Sequence, residues 1–294
     1  MPLRVSQLFL YPVKSLRGFA VQEATVDALG FAGDRRFLVV DPAGSFLTQR
    51  SVPLMATVQT ALEPDWLVLN ADKAGPVRVR LAALPGETSV IRRVTIWQST
   101  GLQAEDCGET VAAWLTAVLQ TPARLVRAGA AFRRAVPERK LPAALRRFPE
   151  AAPEAESART VGFPDAYPFM VIGDASLDEL NGRLEAQGDA VLPIERFRPS
   201  FVVTGGEPFA EDRWKRFRIG EVTFWGGGPC ARCIMANTDP WTGNRGLEPL
   251  RLLSTYRRDP ASGTKVNFGQ NALHDGDRGT IRVEDSVTVL ESQA

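Results

Sequence analysis

The chain has 294 residues, 44% hydrophobic and 23% charged, a balance that buries a core and at this length suggests two lobes. A formal net charge of +1 offers no basic excess for a nucleic-acid partner, and no run approaches the roughly 20 apolar residues that span a bilayer. Three cysteines and one histidine make neither a disulfide framework nor an all-protein zinc cage, and no signal peptide is seen, so the expected compartment is the reducing cytoplasm.

In chain order, residues 5–11 read as an apolar strand that stops at Pro12 and presents Lys14 and Ser15. Gly33-Asp34-Arg35-Arg36 leads into a strand over 36–40, with 46–48 as its expected hairpin partner. Strands follow at 66–70, 77–81 (with clear period-2 alternation) and 93–97. Asp106 and Glu109 have capping-box spacing, and Val111, Trp114, Leu115, Val118 and Leu119 recur on one helical face until Pro122. Cys107 falls in the first turn and is read as a packing residue.

Residues 129–162 form an irregular excursion rich in Ala, Pro and Arg. Arg133, Arg134, Arg139, Lys140, Arg146 and Arg147 are followed by Glu150, Glu154 and Glu156. The stretch is either a solvated loop or a lid or docking patch.

Beyond it, 169–172 reads as a buried strand, and Ser176 to Glu179 as a capping box opening a helix through Leu180 and Leu184. Strands are expected at 201–204 and 221–224, and a helix at 247–257 with Leu250 and Leu253 inward. A closing hairpin is expected from 280–283 and 286–290, and His274 in a polar surface turn. Strands dominate, giving a β-rich α+β class.

The densest constellation is Gly226-Gly227-Gly228-Pro229-Cys230-Ala231-Arg232-Cys233. Glycines let a backbone approach a ligand closely, and Arg232 sets a cation beside Cys233, an environment that suits a metal-binding thiolate. Three readings stand together: two core cysteines after a loop, a Cys-x-x-Cys redox pair, or one cysteine ligating a metal that a cofactor holds from its other side. The redox pair lacks a βαβ unit opening at the motif. Cations at strand ends, Lys14, Arg35 and Arg198, suit phosphate or are solvated surface charge. Phe268-Gly269-Gln270-Asn271 adds amides able to read a heterocycle edge.

The segments LYPVKSLRG, GDRRFLVVD, DCGETVAAWL, DAYPFMVIGDASLDELN, ERFRPSFVV, GPCARCIMANTDPWTG, EPLRLLSTYR and FGQNAL occur in one order. In them the chain resembles the MOSC family, named for the C-terminal domain of molybdenum cofactor sulfurase, and within it the amidoxime-reducing branch. The resemblance implies an N-terminal MOSC β-barrel-like domain over residues 1–122 and a MOSC β-barrel domain over 123–294, with a few peripheral helices. It also implies a molybdenum cofactor, Mo-molybdopterin, whose metal is ligated by Cys233. Contacts to the pterin and its phosphate fall on Lys14, Ser15, Arg35, Arg198, Ser200, Ala231, Arg232 and Asn271.

The implied activity is reduction of a small N-hydroxylated substrate, without a nucleic-acid or membrane partner. Electrons come from a separate donor protein, because the chain lacks the four cysteines of a ferredoxin-like cluster. A cofactor carrier or sulfur-transfer module is the alternative, and a partner-binding domain using the 129–162 patch a third reading. The chain departs from the family at Ala166-Tyr167, where relatives carry Thr-Ser, at Ser200 in place of Asn, and at Asn271 in place of Tyr.

Overall fold

The computed structural model describes residues 2–72, 74–141, 160–276 and 278–293. Its backbone is an eight-stranded sheet. From edge to edge it runs Val287–Ser292, Trp214–Ile219, Val222–Arg232, Val266–Asp275, Phe169–Gly173, Phe201–Thr204, Arg4–Leu10 and Phe19–Val21. Phe169–Gly173 and Phe201–Thr204 pair in parallel, joined by a crossover that contains the helix Asp174–Ala186. The other pairings in this sheet are antiparallel.

Period-2 geometry explains why the central strands read as unbroken apolar runs. Val171 and Val203 enter one buried cluster with Phe31, Phe217 and Phe224, whereas Ile172 and Val202 enter another with Leu180, Leu184, Leu252 and Phe268. A strand covered on both faces has no polar side to alternate with. The helices Asp174–Ala186 and Leu250–Tyr256 contribute to the second cluster.

The other lobe contains a four-stranded sheet, in the order Phe37–Val40, Arg124–Arg127, Ser99–Asp106 and Ile91–Ile96, and a three-stranded meander, Gln59–Glu63, Trp66–Asn70 and Val77–Arg80. The helix Glu109–Leu119 packs Val111, Leu115 and Leu119 into a core with Met55, Val58, Leu67, Leu69 and Leu125. The fold is strand-rich α+β, as the alternation implies. The chain order does not divide cleanly in space: Arg4–Leu10 is hydrogen-bonded to Phe201–Thr204, and Arg124–Arg127 to Phe37–Val40.

Several local expectations are corrected. The strand Ser99–Asp106 was not anticipated; it carries Glu105 and Asp106, which pair with Arg127, Arg92 and Arg124. The Asp106–Glu109 pair does not form a capping box. Gly108 is the N-cap, and both carboxylates grip Arg124 instead. Cys107 lies just before the helix and packs into the core, where burial pushes its thiol up to about 12.

Ser176 is inside its helix rather than at the cap, and its hydroxyl donates to the buried Glu211. Residues 280–290 form no hairpin. Thr280–Arg282 pairs with Glu23–Asp27, while Val287–Ser292 pairs with Trp214–Ile219. Two strands separated by a tight turn thus leave in different directions to cover different edges.

His274 is not at a surface turn. It is fully buried within Val266–Asp275, its Nε2 lies 2.8 Å from the Asp27 carbonyl, and its ring stands edge-on to Phe169. Strand alternation carries it inward before the polar Asp275 and Gly276 begin. Nε2–H donates to the carbonyl, leaving Nδ1 buried and unpartnered.

Two outcomes test this packing. Phe217, fully buried and stacked on Phe224, loses about 3–5 kcal/mol of stability when replaced by alanine, read from the urea midpoint. Burial depresses the folded-state pKa of His274 below its ordinary 6.5, so the unfolded chain binds the proton first as pH falls. Stability therefore declines below about pH 6.5, and His274→Gln flattens that decline in denaturation measured from about pH 7 to 5.

Candidate functional site

Both lobes contribute to one cavity of about 840 Å³. Lys14, Ser15, Arg35, Arg198, Ala231, Arg232, Cys233 and Asn271 all line it. Ser200 does not. It is buried behind the wall, where its hydroxyl accepts the Met170 amide at 3.2 Å and its own amide donates to the Met170 carbonyl.

Three of the lining residues hold left-handed backbones that bulky side chains avoid: Ser15 at φ 67°, Arg35 at 47° and Arg198 at 57°. Each such conformation costs of order 1–3 kcal/mol and persists only where its surroundings enforce it. The enforcing contacts are visible. The Tyr11 amide donates to Asp34 at 2.7 Å, and the other Asp34 oxygen pairs with Arg35 at 2.6 Å. Arg198 donates to the Leu16 carbonyl at 2.6 Å. The two guanidinium carbons lie 4.8 Å (Arg35) and 4.2 Å (Arg198) from the centre of the Tyr11 ring. The Tyr11 ring thus lines up two cations that would otherwise repel. Burial lowers Arg198 to about 10 and pushes the Tyr11 phenol up beyond its usual range.

The cysteine segment is a strand, not a loop. Val222–Arg232 continues through the glycines and pairs with Val266–Asp275 as far as Arg232, with register shifts at Gly226/Gly228 and Pro229/Ala231. The glycines answer to protein neighbours. A Cβ on Gly226 would lie 2.0 Å from the Trp214 carbonyl oxygen, and one on Gly227 would strike the Tyr167 ring at 2.4 Å.

Because strand residues two apart share a face, Arg232 serves Cys230 rather than Cys233. Its Nη1 donates to Cys230 Sγ at 3.2 Å and to Met170 Sδ at 2.8 Å, and its Nη2 to the Phe197 carbonyl. The expected pairing of Arg232 with Cys233 is therefore corrected. Cys233 follows the strand, caps the short turn Ile234–Asn237, and lies within electrostatic reach of Arg50. All three cysteines are free.

Sequence reasoning missed the residues that complete the wall. Asp165 accepts from Lys14, from Arg50 at 3.0 Å and from Trp97 Nε1 at 3.0 Å. Burial works to raise its carboxyl, but Lys14 and Arg50 hold it well below the usual carboxylate range. Burial lowers Lys14 to about 8 against the pull of Asp165. Arg134 is buried and clamps the segment before the carboxylate, donating to the Gly162, Pro164 and Asp165 carbonyls. Its burial corrects the solvated-loop expectation for that part of the 129–162 stretch; Arg146, Arg147, Glu150, Glu154 and Glu156 lie outside the described residues.

Five buried polar atoms on lining residues have no partner: Ser15 Oγ, Arg50 Nη1, Arg196 Nε, Arg198 Nη2 and Arg232 Nε. An unsatisfied buried donor costs roughly 1–3 kcal/mol, more when charged. A set of them around one cavity fits a ligand rich in anionic acceptors. Among the described residues, no three His, Cys, Asp or Glu side chains gather as a metal cage, so a metal bound at Cys233 needs other ligands. No helix among them is long and apolar enough to cross a membrane.

The MOSC N-terminal beta barrel domain matches residues 2–122, and the MOSC domain matches residues 158–288. Mitochondrial amidoxime-reducing component 1 of Homo sapiens is 33% identical over 299 residues, covering 97% of this chain and 82% of its own. Mitochondrial amidoxime reducing component 2 of Bos taurus is 35% identical over 261 residues, covering 86% and 72%.

Replacing Asp165 by Asn leaves Lys14 and Arg50 without their shared counter-ion. The cofactor-free protein is expected to lose about 1 kcal/mol in chemical denaturation at neutral pH, solvent moderating the half-exposed carboxylate, with the deficit shrinking below about pH 4, where that carboxylate begins to protonate in the unfolded chain.

Proposed function

The chain belongs to the MOSC family, and from that premise we propose that it holds a molybdenum cofactor in the cavity and reduces N-hydroxylated small molecules with electrons from a separate donor protein. The observation that carries this reading is the ring of unpartnered buried donors on Ser15, Arg50, Arg198 and Arg232 beside the free thiol of Cys233. Molybdopterin brings a phosphate and a dithiolene, both anionic, and those donors suit such a group. The names of the relatives, amidoxime-reducing components, support the substrate class, since an amidoxime is an N-hydroxylated amidine.

Each residue then has a defined task. Cys233 would supply the thiolate to the metal, with the Arg50 guanidinium within electrostatic reach. Arg35 and Arg198, aligned on Tyr11, and Ser15 at its strained turn hold the phosphate end. Arg232 and the Ala231 backbone meet the pterin. Asn271 donates to the Gly228 and Pro229 carbonyls, fixing the bulged strand beneath it. Ser200 acts through the wall by setting the Met170 backbone.

Bound there, the cofactor supplies two-electron chemistry that removes the hydroxyl oxygen from nitrogen. Each turnover consumes two electrons and two protons and yields the amine-level product and water. Lys14 Nζ, with a pKa of about 8, keeps a proton at neutral pH beside the carboxylate of Asp165.

Molybdenum content per chain tests the reading. Protein from a cofactor-competent host should carry molybdenum, and Cys233→Ala should lower its retention on the order of tenfold or more, with reductase activity lost in parallel. Wild-type protein without molybdenum overturns the proposal. Loaded protein that reduces no N-hydroxylated compound with any reductant turns it into the cofactor carrier or sulfur-transfer module.

A further inference from the structure

Trp97 occupies a position that its chemistry does not favour. Ile96 pairs with Ser99, so Trp97 and Gln98 are the two central residues of a hairpin turn. Trp97 takes φ 53°, the left-handed conformation for which such turns select Gly, Asn or Asp. A large aromatic there is a strained choice, and strain of this kind gathers where the side chain has a task.

Its surroundings hold the ring still while leaving it accessible. Nε1 donates to Asp165 at 3.0 Å, the Arg50 guanidinium carbon lies 4.8 Å from the ring centre, and Phe46 packs edge-on at 5.0 Å. Even so, 50% of the residue's surface remains open, and it lines the cavity. Both residues that hold it, Arg50 and Asp165, line the same cavity as the proposed reaction centre: Arg50 lies within electrostatic reach of Cys233, and Asp165 pairs with Lys14. The indole is therefore tied to the site through two side chains.

Charge on the same rim is unbalanced. Arg139 donates to Gln98, the other residue of the Trp97 turn, at 3.0 Å. Lys140 lies within electrostatic reach of Arg139, Arg134 and Lys265, with Asp165 as the opposing charge. Asp165 is the one carboxylate on the cavity wall among the described residues, and it is already shared by Lys14 and Arg50. Arg139, Lys140 and Lys265 are not among the residues assigned to the cofactor, and they give the mouth a positive field that favours an anionic visitor.

We infer that Trp97 is the stacking platform for the substrate and that, with Lys140 and Lys265, it selects planar N-hydroxylated compounds that carry an anionic group. This rests on the reductase reading above for its substrate class. The N-hydroxyl end enters toward Cys233, the planar body lies against the indole, and the carboxylate or phosphate stays at the rim. The stacking platform comes from the N-terminal barrel region, while Lys265 and the thiolate come from the MOSC region.

Three probes separate these contributions: acetamidoxime, benzamidoxime and 4-carboxybenzamidoxime, which add first the ring and then the charge. With loaded protein and a chemical reductant, kcat/KM should rise along that order. Trp97→Ala should reduce the benzamidoxime-over-acetamidoxime preference about tenfold, mainly through KM, as one aromatic contact predicts, and Trp97→Phe should restore most of it. The Lys140→Gln, Lys265→Gln double variant should erase the advantage of the 4-carboxy group, as should high salt.

The same ranking is expected from equilibrium titration of tryptophan fluorescence without reductant, with the Trp97-dependent part of the signal missing in Trp97→Phe. A structural role alone would lower all three probes together. That result, or 4-carboxybenzamidoxime binding no tighter than acetamidoxime, overturns the inference. Binding in the stated order with none of the probes reduced overturns the reductase reading and leaves this recognition standing.

Discussion

The carboxylate of Asp165 is the constraint on which the site depends. It receives Lys14 from the turn after the first strand, Arg50 from the segment after Phe37–Val40, and Trp97 from the turn between Ile91–Ile96 and Ser99–Asp106. These residues are far apart in the chain. One acidic group therefore sets the spacing of the cations around it, and one of them, Arg50, lies within electrostatic reach of Cys233. The carboxylate is partly exposed, so water moderates its energy; its geometric role is the larger one. Arg134 fixes its backbone from behind, so the acid cannot follow a displaced cation without breaking three carbonyl contacts.

Much of this molecule could be read from its residues. The strands at 5–11, 36–40, 66–70, 77–81, 169–172 and 201–204 fall where apolar runs and alternation put them, and the Val111–Leu119 stripe faces the core. Local patterns survive because backbone hydrogen bonding and burial act over a few residues. Lys14, Ser15, Arg35, Arg198, Arg232 and Cys233 meet in one cavity, although only the family resemblance connected them.

What could not be read has a common cause. The Arg50–Asp165 contact spans 115 residues and has no spacing signature. Arg232 appears adjacent to Cys233 in the chain, yet the strand turns it toward Cys230. His274 sits in a polar-looking string and is fully buried, because a strand decides facing by parity rather than by neighbours. Ser176 and Glu179 have the capping spacing, but the helix starts earlier and Ser176 is consumed by Glu211. In each case a local motif was outvoted by a partner that only the tertiary fold supplies.

The placement of Arg4–Leu10 has a consequence for how the molecule assembles. This strand lies between Phe19–Val21 and Phe201–Thr204, so the earliest part of the chain waits for a neighbour synthesised nearly two hundred residues later. Until then its apolar face and one row of backbone amides stay unpaired, the situation in which β-rich chains fold slowly and associate with one another. Two sequence-defined domains thus share one topological closure. Neither lobe can be cut away at its boundary without exposing a raw sheet edge on the other, and evolution of one half is bound to preserve the register of the other.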